Sequence, residues 1–163
     1  MAHFAPQIAV KATYMRGGTS KGTFFKLDDL PERCQTAGQA RDNFLLRVVG
    51  SPDPYGKQID GLGNGSSSTS KVVILSKTDV ADHDVNYLFG QVAIDKAMID
   101  WSGNCGNLTA AVGSFAIAKG LVDASKVPQN GICEVRIWQQ NMVEVPFCLF
   151  ILYWLLHLVL RLC

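Results

Sequence analysis

The stretch that most constrains this 163-residue chain is Leu108-Thr-Ala-Ala-Val-Gly-Ser-Phe-Ala-Ile-Ala-Lys-Gly120. Leu108, Ala111, Val112, Phe115 and Ile117–Ala118 recur at helical spacing and spread over a broad surface. Beyond Thr109 only Ser114 and Lys119 are strongly polar, so the helix must be buried on most sides. A fold that holds it has to wrap other elements around it. Gly120 stands where a helix ends on a left-handed residue, and Asn104 or Asn107 can cap its start.

The segment before this helix is Trp101-Ser-Gly-Asn-Cys-Gly-Asn107. It puts Cys105 in a glycine-rich loop at the mouth of the helix. Free N–H groups and partial positive charge gather at a helix start. Thiols there shed their proton more readily, and the same N–H groups accept a carboxylate or phosphate. Gly103 and Gly106 let the backbone approach a ligand closely. One short loop can therefore hold an anion beside a proton-transfer group. The commoner use of such a cysteine is as a small buried residue next to a turn.

With 48% hydrophobic and 18% charged residues, the chain fits one globular domain with a real core. A net charge of +1, without a basic run interleaved with aromatics, argues against nucleic acid as a partner. The five cysteines show neither a CxxC pair nor a Cys/His cluster, so neither a zinc site nor a disulfide framework is expected. Met1–Gln7 has no basic region followed by an apolar run, and a reducing cytoplasm is the expected compartment.

In chain order, Gln7–Tyr14 reads as a strand, Met15–Gly22 as a polar loop, and Thr23–Phe25 as a second strand. Arg16 at that loop can grip a carboxylate through two hydrogen bonds, and Thr19, Ser20 and the glycine N–H groups add donors. A solvated turn is the plainer reading. Asp29 and Pro31 start a helix expected to run to about Val49, with Cys34, Arg33, Arg41 and Arg47 on its surface. Gly50–Gly56 stops it. The Ser/Thr run ending at Ser70-Lys71 has linker composition, but Val72–Leu75 follows at once as a buried strand. Lys71 therefore stands at the edge of a rigid element, where a lysine serves either as a base or as a solvent-facing strand start. His83, among acidic loop residues, is expected to be solvated. Val85–Ile94 and Gly131–Trp138 read as strands, the latter with Ile132, Glu134, Arg136 and Trp138 on one side. This order is α+β with antiparallel or mixed pairing, not a βαβ array.

Five stretches in register carry a resemblance: Arg16-Gly-Gly-Thr-Ser-Lys-Gly22, Gly50-Ser-Pro-Asp-Pro-Tyr55, Gln58-Ile-Asp-Gly61, Ser67-Ser-Thr-Ser-Lys71 and Trp101–Asn107. Over about residues 7–140 the chain resembles the PrpF family of 2-methylaconitate cis–trans isomerases of the methylcitrate route of propionate breakdown. The resemblance implies a diaminopimelate epimerase-like fold, a β-barrel-like sheet wrapped around a central helix. Family members carry two such domains with the site between them. It further implies Lys71 and Cys105 as catalytic residues. Arg16, Thr19, Ser20, Ser68, Thr69, Asn104, Gly106 and Asn107 then bind a tricarboxylate substrate. Neither metal nor cofactor is implied, and a homodimer is.

The expected division is residues 1–141 as an incomplete first domain and 142–163 as a divergent hydrophobic tail, with the second domain missing. Phe147–Leu160 is almost wholly apolar, a few residues short of a spanning helix. A shifted reading frame is the preferred origin of the tail. A marginal membrane anchor and a segment packed on bare sheet are the alternatives. An inactive remnant and a membrane-tethered carboxylate-binding module thus compete with the isomerase.

Overall fold

In the structure, a computed structural model, residues 7–142 and the strand Cys148–Trp154 are described. The N-terminal strand begins later than its composition suggests. β1 (Thr13–Gly17) and β2 (Ser20–Lys26) form a hairpin in which Gly17 faces Ser20. The expected eight-residue loop is therefore a two-residue turn, because Gly18 takes a φ of +51° and lets both strands run to the turn.

The expected single helix from Asp29 to Val49 is broken. A 3-10 turn at Leu27–Asp29 is followed by α1 (Glu32–Gln35) and α2 (Gln39–Val49). The break falls before Gly38, which has a φ of +143°. Arg41 stabilises it: its Nε donates to the Cys34 carbonyl at 2.9 Å and its Nη2 to the Gln35 carbonyl. Arg41 and Cys34 are thus buried rather than on the helix surface. Burial pushes the Arg41 guanidinium below its ordinary range.

β3 (Lys71–Lys77), β4 (Val85–Val92), β5 (Ile99–Asp100), β6 (Gly131–Gln139) and β7 (Cys148–Trp154) complete a seven-stranded mixed sheet. Its order is β1-β2-β3-β4-β6-β7, with β5 also paired to β4. β2–β3 and β4–β6 are parallel and the other pairs antiparallel. The α+β expectation with mixed pairing holds. Alternation sorts the strand residues between two cores. Phe24, Val73, Leu75, Tyr87, Phe89, Val135 and Ile137 face one way, and Phe25, Val72, Ile74 and Val92 the other. The second face is covered by Leu45, Leu46 and Val49 of α2.

The first face holds α3 (Gly106–Ala118), which buries Leu108, Ala111, Val112, Phe115 and Ala116. Phe115 packs on Phe24 with ring centroids 5.5 Å apart. The end of α3 matches the sequence reading. Gly120, with a φ of +65°, donates to the Ile117 carbonyl at 3.1 Å, and Leu121 N donates to Ala116 at 2.9 Å. This is the paired-bond termination that a left-handed glycine permits. The start differs. Cys105 itself occupies the N-cap, and no side chain caps the helix.

β7 pairs antiparallel with β6 from Ile137↔Cys148 to Gly131↔Trp154. This part of the apolar tail is a strand, and no helix among the described residues is long and apolar enough to cross a membrane. The remainder of the expected tail after Met142 lies outside the described residues. His83 is half-buried rather than solvated, because its ring stands edge-on to Trp138 at 5.2 Å.

Candidate active site

Strand register gathers the polar candidates at one end of the α3 face. Lys71 is the first residue of β3 and lies opposite Gln91 of β4. It shares a strand face with Val73 and Leu75, so its side chain leaves the sheet on the side of α3. Lys71 is only 9% exposed. Its ammonium donates to Gln91 Oε1 and lies 5.2 Å from the centre of the Phe89 ring. Gly22 of β2 runs beside it. A Cβ there would stand 3.0 Å from the Lys71 carbonyl oxygen and 2.9 Å from Leu108 Cδ1. Glycine is thus what allows β2, the lysine and the start of α3 to meet.

Cys105 closes the same end from the helix side. Its thiol is buried and donates to Ser20 Oγ at 3.9 Å. Its carbonyl accepts from Tyr87 Oη at 3.2 Å and Thr109 Oγ1 at 2.9 Å. These bonds pin the cysteine backbone to β4 and to its own helix. The β1–β2 turn packs against the first turn of α3. Asn107 Nδ2 donates to Thr19 Oγ1 at 3.1 Å, and a side chain on Gly17 or Gly18 would collide with Asn107. Asn104, Gly106, Asn107 and Thr19 are exposed. The uncapped helix start therefore opens to solvent with backbone N–H groups available to an anion.

The serine-rich segment is no flexible linker. Buried Gln58, with a φ of +53°, organises it. Its Oε1 accepts from Gly65 N at 2.9 Å and from Ser70 Oγ at 2.7 Å, and its Nε2 donates to Ser51 Oγ at 2.8 Å. Asp53 accepts from the amides of Tyr55, Lys57 and Gln58. Those hydrogen bonds, Tyr55 first and Gln58 next, hold its carboxyl below the ordinary value. Gln58 opens the Gln58–Gly61 motif. Its signal was a long polar residue between tight glycine turns, which only the fold reveals as buried.

A second set of polar groups was not singled out from sequence. Gln139 Nε2 donates to Asn104 Oδ1 and to Asn141 Oδ1, each at 3.1 Å. Asn141 exchanges bonds with both the N–H and the carbonyl of Phe89, at 2.8 and 2.7 Å, and donates to the Trp101 carbonyl at 2.5 Å. It does for β4 at Phe89 what a neighbouring strand does elsewhere in the ladder. It also ties down the loop that carries Cys105.

The structure sets Ser20, Lys71 and Cys105 on the α3 face of the sheet, with Ser20 bonded to Cys105, and Thr19, Asn104, Gly106 and Asn107 around the helix start. Three further candidates have other local partners. Arg16 is exposed, and its Nε donates to the Gly18 carbonyl at 2.8 Å. The Thr69 hydroxyl is turned into its own loop, toward the Gly63 and Ser66 carbonyls. Ser68 is exposed and contributes its carbonyl to Lys21 N at 2.9 Å. Cavities of about 550 Å³ beside Ser51, Asp53, Tyr55 and Lys57, and about 490 Å³ beside Lys77, Asp84 and Lys126, are lined by neither Lys71 nor Cys105. Among the described residues no three His, Cys, Asp or Glu side chains gather to hold a metal ion.

Residues 7–147 match the family described as PrpF protein. Over 139 residues the chain is 70% identical to a 2-methyl-aconitate isomerase of Shewanella oneidensis, and over 142 residues 68% identical to a 2-methyl-aconitate isomerase of Cupriavidus necator. These alignments cover 85% and 87% of this chain but 35% and 36% of those proteins. A crystal structure of methylitaconate-delta-isomerase superposes with a TM-score of 0.71 at 42% identity, covering 81% of this chain and 32% of that one. The chain thus spans about a third of the length of the relatives it matches.

Proposed function

Since this chain belongs to the PrpF family, we propose that it carries the lysine and cysteine of an isomerase site for 2-methylaconitate or a related unsaturated tricarboxylate. The observation that supports this reading best is that Lys71 leaves the sheet on the α3 face, the face on which Ser20 bonds Cys105 at the uncapped start of α3. The names of the Shewanella and Cupriavidus relatives support the substrate. The methylcitrate route of propionate breakdown is the corresponding setting, and the cytoplasm the corresponding compartment.

The chemistry follows from the groups. The substrate has a carbon–hydrogen bond next to a double bond that carries carboxylates. The Lys71 amine takes that proton, and the C–H electron pair spreads over the double bond and a carboxylate as a dienolate. Rotation about the former double bond becomes easy, and a returned proton traps the other isomer. No oxidant, reductant or added group is consumed. The α3 N–H groups, with Thr19, Ser20 and Asn107 beside them, hold a carboxylate on which negative charge grows. Cys105 stands at the helix side as the proton donor for the return step. Arg16, Ser68 and Thr69 are the substrate-binding candidates for the outer carboxylates.

Deuterium wash-in from heavy water into 2-methylaconitate tests the reading. Lys71→Ala is expected to lower the exchange rate about 10²-fold or more, the range of a lost general base. Unchanged exchange removes Lys71 from the role. Binding of the tricarboxylate by the unaltered chain, with no exchange at all, assigns it instead to carboxylate binding.

A further inference from the structure

We infer that Gln91 is the positioning residue for the Lys71 amine, aiming it without setting a charge beside it. The inference rests on the Lys71 reading above and deepens it. Gln91 lies directly opposite Lys71 in the β3–β4 ladder, so both side chains leave the sheet on one face. The orientation of its amide is set by chemistry. Nε2 donates to the Ser70 carbonyl at 2.9 Å and the Ser67 carbonyl at 3.2 Å, leaving Oε1 for the Lys71 ammonium. Turned over, the amide would set its oxygen against two carbonyls and its NH2 against a cation. The serine loop therefore locks Gln91, and Gln91 aims Lys71.

The surroundings of the amine explain why an amide serves here. From β4 it meets Gln91 and the face of Phe89, and from β2 and α3 the Ser20–Cys105 pair closes the same end of the sheet. Among the described residues no carboxylate is ion-paired with Lys71. A carboxylate at position 91 would hold the proton on the lysine, since an opposite charge at contact favours the ammonium. An apolar side chain would remove the acceptor that favours the ammonium and free the amine's direction.

Two substitutions separate this from a merely structural role. In the full chain at pH 8, the acylation rate of each lysine by an acetyl N-hydroxysuccinimide ester is read by peptide mass spectrometry, with exposed Lys21 and Lys57 as internal references. Relative to those, Lys71 is expected to react about tenfold more slowly in Gln91→Glu and about threefold faster in Gln91→Met. A disturbed serine loop moves both variants in the same direction, and that result, or no change in either, overturns the inference. Both variants are also expected to lose at least tenfold in kcat for deuterium exchange, with KM held within about twofold. Opposite acylation shifts combined with full exchange activity in Lys71→Ala would leave Gln91 as the lysine's anchor and sink the base reading instead.

Discussion

Lys71 and Cys105 are held by different means, and that difference sets what each can do. Lys71 leaves a strand whose register is fixed on both sides by backbone pairing, and its amine has a neutral partner in Gln91. Cys105 sits at the start of a helix, its carbonyl tied by Tyr87 Oη and by both N and Oγ1 of Thr109, and its thiol bonded to the Ser20 hydroxyl. A serine at 105 keeps a polar contact but is a far poorer acid. Cys105→Ser is therefore expected to lower net isomerisation of 2-methylaconitate about 10²-fold while deuterium exchange by Lys71 persists. A loss below fivefold assigns Cys105 a contact with substrate and not the proton return. The lysine at a strand edge and the cysteine between glycines were legible in the sequence. Their partners were not, because Gln91 lies twenty positions from Lys71 and Ser20 eighty-five from Cys105.

At the level of elements, the loop from Ser51 to Ser70 is the part that composition describes least well. Its serines and glycines have linker composition, yet Gln58 and Asp53 pin it at both ends. Asp53 binds its proton less readily in the fold than its ordinary value near 3.8 implies. Such a depressed group stabilises the loop above that value and loses the effect as pH falls through the folded value below it. Amide exchange at Tyr55, Lys57 and Gln58 is expected to lose protection as pH drops below about 3.8. Asp53→Ala is expected to show the unprotected behaviour already at pH 7. Equal protection in the two proteins would remove Asp53 from that role. The break between α1 and α2 has a similar origin. The apolar spacing toward Val49 is helical, but buried Arg41 binds the carbonyls that end α1, and no periodicity reports a buried guanidinium.

Across the whole molecule the sheet has two chemically distinct ends. Neutral polar groups and the uncapped helix start gather where Lys71 faces Gln91. Charge gathers at the other end of the same strands, where Lys77 faces Val85. There Asp84 accepts from Lys126 Nζ at 2.5 Å and from Arg136 N at 2.8 Å. The Asp84 hydrogen bond, and then its charge, hold the Lys126 amine above its ordinary value near 10.5. A raised group of this kind stabilises the fold below the ordinary value, and the effect is lost as pH rises through the folded value. The Tm difference between the unaltered chain and a Lys126→Met variant is expected to be constant from about pH 7 to 10 and to shrink as pH rises above 10.5. A difference independent of pH would mean that Lys126 acts through packing alone.

The sequence by itself determined the centre of this protein. A helix with almost no charge must be enclosed, and strands that alternate or run apolar are what enclose it, so the mixed sheet around α3 and the glycine that ends the helix were both readable. Five short motifs in register determined the family and the residues to examine. The tertiary structure alone decided which of those residues meet. Parallel and antiparallel pairings between distant strands set Ser20, Lys71 and Gln91 on one face, while Arg16 and Thr69 donate hydrogen bonds within their own turns. Local propensity is a property of a few neighbouring residues. A site of this kind depends on register between strands far apart in sequence, where a shift of one position would move each side chain to the opposite face.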